Sequence, residues 1–159
     1  LGYVDDHPKM LGVQAEGASA IHDAFHNHED IDDIAETLAD SIAVGRPRNT
    51  IKACRALEQS GGTSVLVSDE EILEAETLLG STEGIYSEPA GAAPIAGVQT
   101  ALDRGIIEQD ETVVVVSTGF GLKDTKSAEK ATGGVDRIDP EITEVERLYG
   151  TAEEAAADD

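Results

Sequence analysis

The sequence has very few aromatic residues, no tryptophan and a single cysteine. Aromatic residues make up 3% of the 159 residues, so we expect a core built from alanine, valine, isoleucine and leucine. Cys54 is the lone cysteine, which excludes an internal disulfide and favours a reducing compartment such as the cytoplasm. No apolar run approaches the roughly 20 residues of a membrane-spanning helix. No charged-then-apolar leader opens the sequence.

Basic residues are also scarce, since 11 Lys and Arg stand against 33 Asp and Glu, for a formal charge of −22. This charge would repel nucleic-acid phosphates and anionic membrane surfaces, so we expect neither as a partner. The acidic residues are spread along the chain, which is typical of a halophilic surface that relies on salt to screen its repulsion. A calcium-buffering or disordered acidic protein is disfavoured, because apolar periodicity is sustained along the chain.

The length suffices for one hydrophobic core. The chain opens on Leu1-Gly2-Tyr3, a sequence typical of a helix end running into a loop, so we expect it to be cut from a longer polypeptide. We predict one folded unit over residues 1–150 and a frayed, acidic, alanine-rich tail over residues 151–159.

Strand-like and helix-like patterns alternate along the chain. Strands are predicted over residues 10–15, 41–44, 63–67 and 112–116. Helices are predicted from residue 18, from Asn49 as N-cap, from a capping box at Ser68–Glu71, from Pro89 to a stop at Gly105, and after Asp139-Pro140. The alternation predicts an α/β fold, an open and mainly parallel sheet with helices on both faces.

The most informative stretch is the valine run 113–116, which is followed by Ser117-Thr118-Gly119. Four consecutive valines leave no polar face, as in a strand covered on both sides. Ligands of open α/β sheets bind just beyond the carboxyl ends of the strands, where glycines admit a close approach and hydroxyls give directed hydrogen bonds. The pattern predicts a buried strand that ends either in a ligand-contacting turn or in an ordinary one.

Other polar residues give weaker signals. His22 and His26 have nearly the spacing of a zinc site, but Asp23 stands where a zinc protease needs glutamate, so solvated histidines are the preferred interpretation and no metal site is predicted. Lys123 either forms part of an anion site or lies on a solvent-exposed segment that leaves the sheet. Glu88, directly before Pro89, is either a site carboxylate or a charge that stabilises a helix N-terminus. The sequence contains no complete catalytic set.

Five segments in order resemble the threonine synthase family: residues 12–18, 41–47, 60–62 with 67–71, 83–92, and 117–124. Together they span nearly all of residues 8–150. The resemblance implies the C-terminal part of the large domain of a fold type II enzyme that uses pyridoxal 5'-phosphate (PLP). It also implies the family reaction, from O-phospho-L-homoserine and water to L-threonine and phosphate, and a homodimer in the parent protein.

The resemblance also implies cofactor-binding residues. Thr118 matches the hydroxyl that hydrogen-bonds the pyridine nitrogen, and a neutral hydroxyl there leaves that nitrogen unprotonated. The predicted cofactor-binding residues lie in three places. They are Thr118, Ser117 and Gly119 in the turn after the valines, Ser41, Ile42 and Ala43 in the loop facing the cofactor ring, and the cleft glutamate Glu88. Two departures from the family pattern are Phe120, where many members have histidine, and Gly80, where they have a better helix former.

The resemblance also shows what is missing. The Schiff-base lysine, the asparagine beside the ring and the phosphate-binding loop lie upstream in the family, and none of the lysines here sits in a matching motif. We therefore predict no catalytic residue, and expect the chain alone to be inactive and to need the N-terminal part of the same enzyme. The alternatives are another fold type II enzyme, namely threonine dehydratase or cysteate synthase, or a non-catalytic relic or partner subunit.

Overall fold

Two strands and six α-helices form the regular structure of the computed structural model, which describes residues 7–27, 35–134 and 136–150. The strands are β1 (Leu11–Ala15) and β2 (Thr63–Val67). The helices are α1 (Ala20–His26), α2 (Thr50–Ser60), α3 (Asp69–Leu78), α4 (Pro89–Asp103), α5 (Thr125–Ala131) and α6 (Ile142–Tyr149). The predicted tail over residues 151–159 lies outside the described ranges. Within those ranges, no helix has the length and apolar character needed to cross a bilayer.

The two strands pair in parallel, in register from Leu11 opposite Thr63 to Ala15 opposite Val67. A Cβ on Gly12 would meet Leu57 of α2 at 3.7 Å, whereas Val13 packs directly on Gly97 of α4. Because successive residues of a strand point to opposite faces, α2 and α4 cover opposite faces of the sheet. This arrangement confirms the predicted α/β class with parallel strands between helices.

The core is aliphatic, as the composition predicts. Ile72 of α3 and both Val65 and Val67 of β2 are fully buried. The remaining buried apolar residues in the described ranges are alanines and two leucines, Leu57 and Leu79. Small side chains allow the close helix–sheet approach seen at Gly97, where a Cβ would lie 2.3 Å from Val13 Cγ2.

Local signals at the element ends behave as expected, with two exceptions. The capping box is present, since the Glu71 amide donates to Ser68 Oγ at 3.2 Å and the Ser68 amide donates to Glu71 Oε2 at 2.6 Å. Gly61 ends α2 in the left-handed conformation, with φ of 64°. One exception is Asn49, which precedes α2 but makes no side-chain capping hydrogen bond. The other is Asp139-Pro140, predicted to cap the last helix, because the residue that precedes α6 is Glu141 and it makes no side-chain capping hydrogen bond.

Two predicted strands are wrong. Residues 112–116 have no regular secondary structure, and Val114 and Val116 are 87% and 70% exposed. Valines favour a strand only when a neighbouring strand supplies hydrogen bonds and cover, and no strand in the described part of the chain does so. Residues 41–44 also form no strand, because the carbonyl of Asp40 accepts the Ala43 amide and closes a single 3-10 turn over Asp40–Ile42.

Helix α1 is joined to β2 by its two histidines. Ser64 Oγ lies 3.0 Å from His22 Nδ1, and His26 Nε2 lies 3.2 Å from the Ser64 carbonyl oxygen. Gln14 of β1 accepts the amide hydrogens of Ile21 and His22 at 2.8 Å, which satisfies the first turn of the helix. Both histidines therefore contact the sheet. His26 is also exposed, as the sequence predicts, whereas His22 is half-buried.

This contact predicts a loss of stability in acid. Burial lowers the pKa of His22 and the nearby His26 lowers it further, with Arg104 acting in the same direction and Asp23 opposing both. The unfolded chain then binds more protons than the folded chain, so stability is present above the unfolded pKa and falls as the pH drops through the folded one. From about pH 7.5 downwards, we expect the contribution of His22 to the unfolding free energy to decrease by at most about 1.4 kcal/mol per pH unit.

Urea denaturation across this pH range tests the expectation. His22→Gln removes the titrating ring and should flatten the acid side of the profile. His7→Gln is the matched control, because His7 is an exposed residue outside the α1–β2 contact. Equal acid slopes for the parent chain and His22→Gln would show that His22 does not carry the effect.

Candidate functional site

The turn that follows the valine run is held against the N-terminus of α4. Ser87 and Phe120 form an isolated antiparallel bridge. The Glu88 amide donates to the Gly119 carbonyl at 3.0 Å, and the Gly121 amide donates to the Tyr86 carbonyl at 2.9 Å. These bonds place Ser117-Thr118-Gly119 beside the first turn of α4.

Ser87 is the buried centre of this contact, with 1% of its surface exposed. Its hydroxyl lies 3.1 Å from Ser117 Oγ and 3.2 Å from the carbonyl oxygen of Gly119. The sequence analysis missed this residue. A serine directly before Glu-Pro at a helix start is the only signal that points to it, and its partners lie about thirty positions away.

Glu88 and Lys123 join the second and third segments of the site. The Glu88 side chain is 7% exposed, and Lys123 Nζ lies 3.1 Å from its Oε2 atom. Lys123 also donates to Ser41 Oγ at 2.5 Å. One ammonium group therefore connects the 3-10 turn at Asp40–Ile42 to the start of α4, while the Lys123 side chain stays 60% exposed, in agreement with the solvated interpretation.

The Glu88 side chain makes no capping hydrogen bond to α4, although it precedes the helix. Its backbone carbonyl accepts the amides of Gly91 and Ala92 at 2.9 and 3.0 Å, as in any first turn. The carboxylate instead points to Lys123. Glu88 therefore makes no capping hydrogen bond, but its charge lies at the N-terminus of α4, so both sequence interpretations stay open.

Ser41, Glu88 and Lys123 line a cleft of about 250 Å³, together with Asp40 and Asp124. A hydrogen bond from Ser127 Oγ, at 2.7 Å, lowers the pKa of Asp124, and the Ser127 amide adds a second bond at 3.2 Å. Asp124 is thus ionised, and it caps α5 while it also lines the cleft.

The structure brings most of the predicted site residues together. Ser117 and Gly119 lie against Glu88, and Ser41 is joined to Glu88 through Lys123. Thr118 is exposed at the tip of the turn. Ile42 packs partly against the hydrophobic core, and Ala43 follows it on the same loop. That these residues bind a cofactor remains a prediction.

One family model and two relatives match most of this chain. The family model described as pyridoxal-phosphate dependent enzyme matches residues 2–119. A threonine synthase of Methanocaldococcus jannaschii is 43% identical over 150 residues, covering 92% of this chain and 37% of that protein. A threonine synthase of Methanosarcina acetivorans is 40% identical over 156 residues, covering 96% of this chain and 38% of that protein.

Solved structures agree on the fold. The processed form of threonine deaminase isoform 2 from Solanum lycopersicum superposes with a TM-score of 0.65 at 25% identity, covering 79% of this chain and 36% of that one. A T.th. threonine deaminase superposes with a TM-score of 0.53 at 26% identity, covering 69% of this chain and 39% of that one. The chain therefore spans less than two fifths of the length of each of these proteins.

Proposed function

Because this chain belongs to the pyridoxal-phosphate dependent enzyme family, we propose that it forms the C-terminal part of a threonine synthase. The whole enzyme would convert O-phospho-L-homoserine and water to L-threonine and phosphate. The observation that carries the proposal is the contact between three segments of the family resemblance: the Ser117–Gly119 turn packs on Ser87 and Glu88, and Lys123 joins Glu88 to Ser41. Residues 83–92 and 117–124 are the most specific segments of that resemblance. The similarity to two archaeal threonine synthases supports the choice of reaction.

The turn that carries Thr118 fits the edge of the cofactor where the ring nitrogen lies. Thr118 offers an exposed hydroxyl without a hydrogen-bond partner in the described ranges, and a hydroxyl can donate to an unprotonated ring nitrogen. The backbone beside it is tightly packed, because a Cβ on Gly91 would meet Gly119 N at 3.0 Å and Ser87 Oγ at 2.3 Å. This packing holds the backbone next to Thr118.

When bound, PLP would supply an electron sink conjugated to the substrate's α-carbon. The residues of this chain would orient the cofactor ring and tune its nitrogen. Thr118 would meet the ring nitrogen as a neutral partner, and Ser117 and Gly119 would hold the turn against Ser87 and Glu88. Lys123 would keep the Ser41 loop near the ring by bonding both Ser41 and Glu88.

A threonine deaminase is the second candidate, and the superpositions on two such enzymes favour it. The two candidates share the cofactor and differ in the leaving group. Phosphate release from O-phospho-L-homoserine and ammonia release from threonine therefore separate them. Cysteate synthase would show neither activity, since it acts on another substrate.

Reconstitution tests the proposal. The chain alone should bind no PLP, measured by absorbance and by intact mass after borohydride treatment. Mixed with the part of the M. jannaschii threonine synthase outside the matched region, it should restore threonine formation. Thr118→Val should lower that activity more than Thr112→Val, an equal change upstream of the site.

Two results would contradict the proposal. A stoichiometric pyridoxyl group fixed on the isolated chain would show that a lysine of this chain suffices. A reconstituted protein that binds cofactor but forms no threonine would favour the deaminase, or else the non-catalytic relic or partner subunit.

We place the protein in a reducing and salt-rich cytoplasm, and a melting temperature independent of potassium chloride would count against that setting.

A further inference from the structure

Helix α2 and the turn before it carry a group of basic side chains in an otherwise acidic chain. Residues 41–57 contain four of the chain's 11 Lys and Arg, and no Asp or Glu. Lys52 and Arg55 are three positions apart on the helix, so they lie on the same side of it. Arg48 lies in the turn directly before the helix. These three residues, Arg48, Lys52 and Arg55, are called the basic row below.

The side chains of the basic row face solvent and have no acidic partner. All three are exposed, and Lys52 and Arg55 lie on the side of α2 away from the buried Leu57. Among the described residues, no carboxylate forms a salt bridge with any member of the row, whereas Lys123 and Arg147 each have one. The row therefore presents three cations to an external anion, although the chain contains 33 acidic residues that might have neutralised them.

Two members of the row line a cleft of about 440 Å³ at the start of α2. The lining residues are Pro47, Arg48, Asn49, Thr50, Ile51 and Lys52. The Thr50 hydroxyl donates to the Pro47 carbonyl at 3.1 Å, which ties the turn that carries Arg48 to the helix. Ile51 is 77% exposed and gives the cleft an apolar surface next to its cations. A cleft of this volume is within the range of small-molecule sites.

We propose that the basic row binds a small molecule that carries two or more adjacent phosphate groups, either a nucleotide or an inorganic polyphosphate. The guanidinium groups of Arg48 and Arg55 can each pair with two phosphate oxygens, and the Lys52 ammonium lies between them in sequence. The row extends about 10 Å along the helix axis, at 1.5 Å per residue, so long side chains can close around one di- or triphosphate group. This cleft shares no lining residue with the one at Glu88, so the inference does not depend on the proposed function.

Charge and size favour a small ligand over nucleic acid or a second copy of the chain. Asp40 and Glu58 flank the basic stretch in sequence, and the whole chain carries −22. A nucleic acid would extend beyond the row onto carboxylates that repel it, and a second copy would bring its own excess of negative charge. A short phosphate chain stays within the row. In about 1 M salt the screening length is about 3 Å, so the more distant carboxylates oppose its binding only weakly.

Isothermal titration calorimetry on the full chain tests the inference, in magnesium-free buffer at constant ionic strength. The probes are ATP, inorganic tripolyphosphate and inorganic phosphate. We expect one site per chain that binds tripolyphosphate and ATP at least about tenfold more tightly than phosphate, because a single phosphate reaches fewer members of the row. Tighter binding of ATP than of tripolyphosphate would assign the site to nucleotides, and equal binding would assign it to polyphosphate.

Substitutions locate the binding. Lys52→Gln and Arg55→Gln should each weaken the binding of tripolyphosphate by at least about tenfold, since each removes a charge-assisted contact. Lys130→Gln makes the same charge change at an exposed residue of α5 and should leave binding unchanged. Circular dichroism melts of the three variants check that the fold is retained.

Four outcomes would overturn the inference. These are no binding of ATP or tripolyphosphate, binding no tighter than that of phosphate, an equal effect of Lys52→Gln and Lys130→Gln, and tighter binding of a single-stranded DNA oligonucleotide than of either small probe. A dimer of this chain that Lys52→Gln dissociates would likewise contradict it, by assigning the row to a contact between copies.

Discussion

We expect Gly119→Ala to lower the free energy of unfolding by about 2–3 kcal/mol, because the new methyl group has no room. A Cβ at position 119 would lie 2.0 Å from Glu88 Oε1 and 2.4 Å from Glu88 Cγ. Glu88 cannot swing away at low cost, since it is 5% exposed and its carboxylate is held by Lys123. The Gly119 carbonyl also accepts the Glu88 amide, so the two backbones cannot separate without breaking that bond.

The same substitution should disconnect the site. If the Glu88 carboxylate moves, Lys123 loses one of its two partners and the Ser41 loop loses its link to α4. Amides of the loop at residues 40–44 should then exchange faster than in the parent chain, by about tenfold or more. Urea denaturation gives the stability change, and hydrogen exchange gives its location.

Gly80→Ala is the matched control for Gly119→Ala. A Cβ at Gly80 would meet nothing within 4 Å, and the residue lies in the π-helical turn Leu79–Glu83 after α3. Alanine is favoured over glycine in a helix by about 1 kcal/mol, so this variant should be as stable as the parent or more so. Equal stability of the two alanine variants would show that the close approach at Gly119 carries no strain.

The sequence predicts best those elements whose signals are local. The capping box at Ser68 and Glu71, the glycine end of α2 at Gly61 and the pattern of β2 depend on residues within a few positions of one another, and all three appear in the structure. Helix α5 was missed because it has no apolar stripe. It is held instead by the Asp124 cap and by the buried Ser127.

Features that depend on distant partners are harder to predict. The valine run has the composition of a buried strand, yet burial requires neighbours that a pattern cannot supply. The Lys123–Ser41 bond joins residues 82 positions apart, and no periodicity signals it. The resemblance to a family identified the three converging segments of the site, but not the Lys123 and Ser87 contacts that hold them together.

Glu76 gives the second large prediction, because it is a carboxylate buried without a partner. The residue is 5% exposed in α3, and neither carboxylate oxygen has a hydrogen bond in the described part of the chain. Burial raises the pKa of Glu76, and the nearby Asp124 carboxylate raises it further. A buried charge beside a like charge disfavours folding, so Glu76 is protonated in the folded state until the pH exceeds its raised pKa.

The sign of the pH dependence follows from that shift. A raised pKa means that the folded chain binds more protons than the unfolded one above the ordinary value of 4.5. Stability is therefore fully present below that value and is lost as the pH rises through the raised pKa. At about pH 8 we expect Glu76→Gln to be more stable than the parent chain by about 1–3 kcal/mol, since it removes the buried charge and its amide can donate toward Asp124.

Glu74→Gln makes the same charge change at an exposed position of the same helix, and it should leave the pH profile unchanged. The pKa values of His22 and Glu76 shift in opposite directions, so their contributions to the slope of unfolding free energy against pH partly cancel in the parent chain. A flat stability profile of the parent chain would therefore exclude neither contribution. The single variants separate them: His22→Gln should keep only the loss at high pH, and Glu76→Gln only the loss in acid. If Glu76→Gln and Glu74→Gln give the same urea midpoints at every pH, the buried Glu76 carboxylate does not limit the stability of the fold.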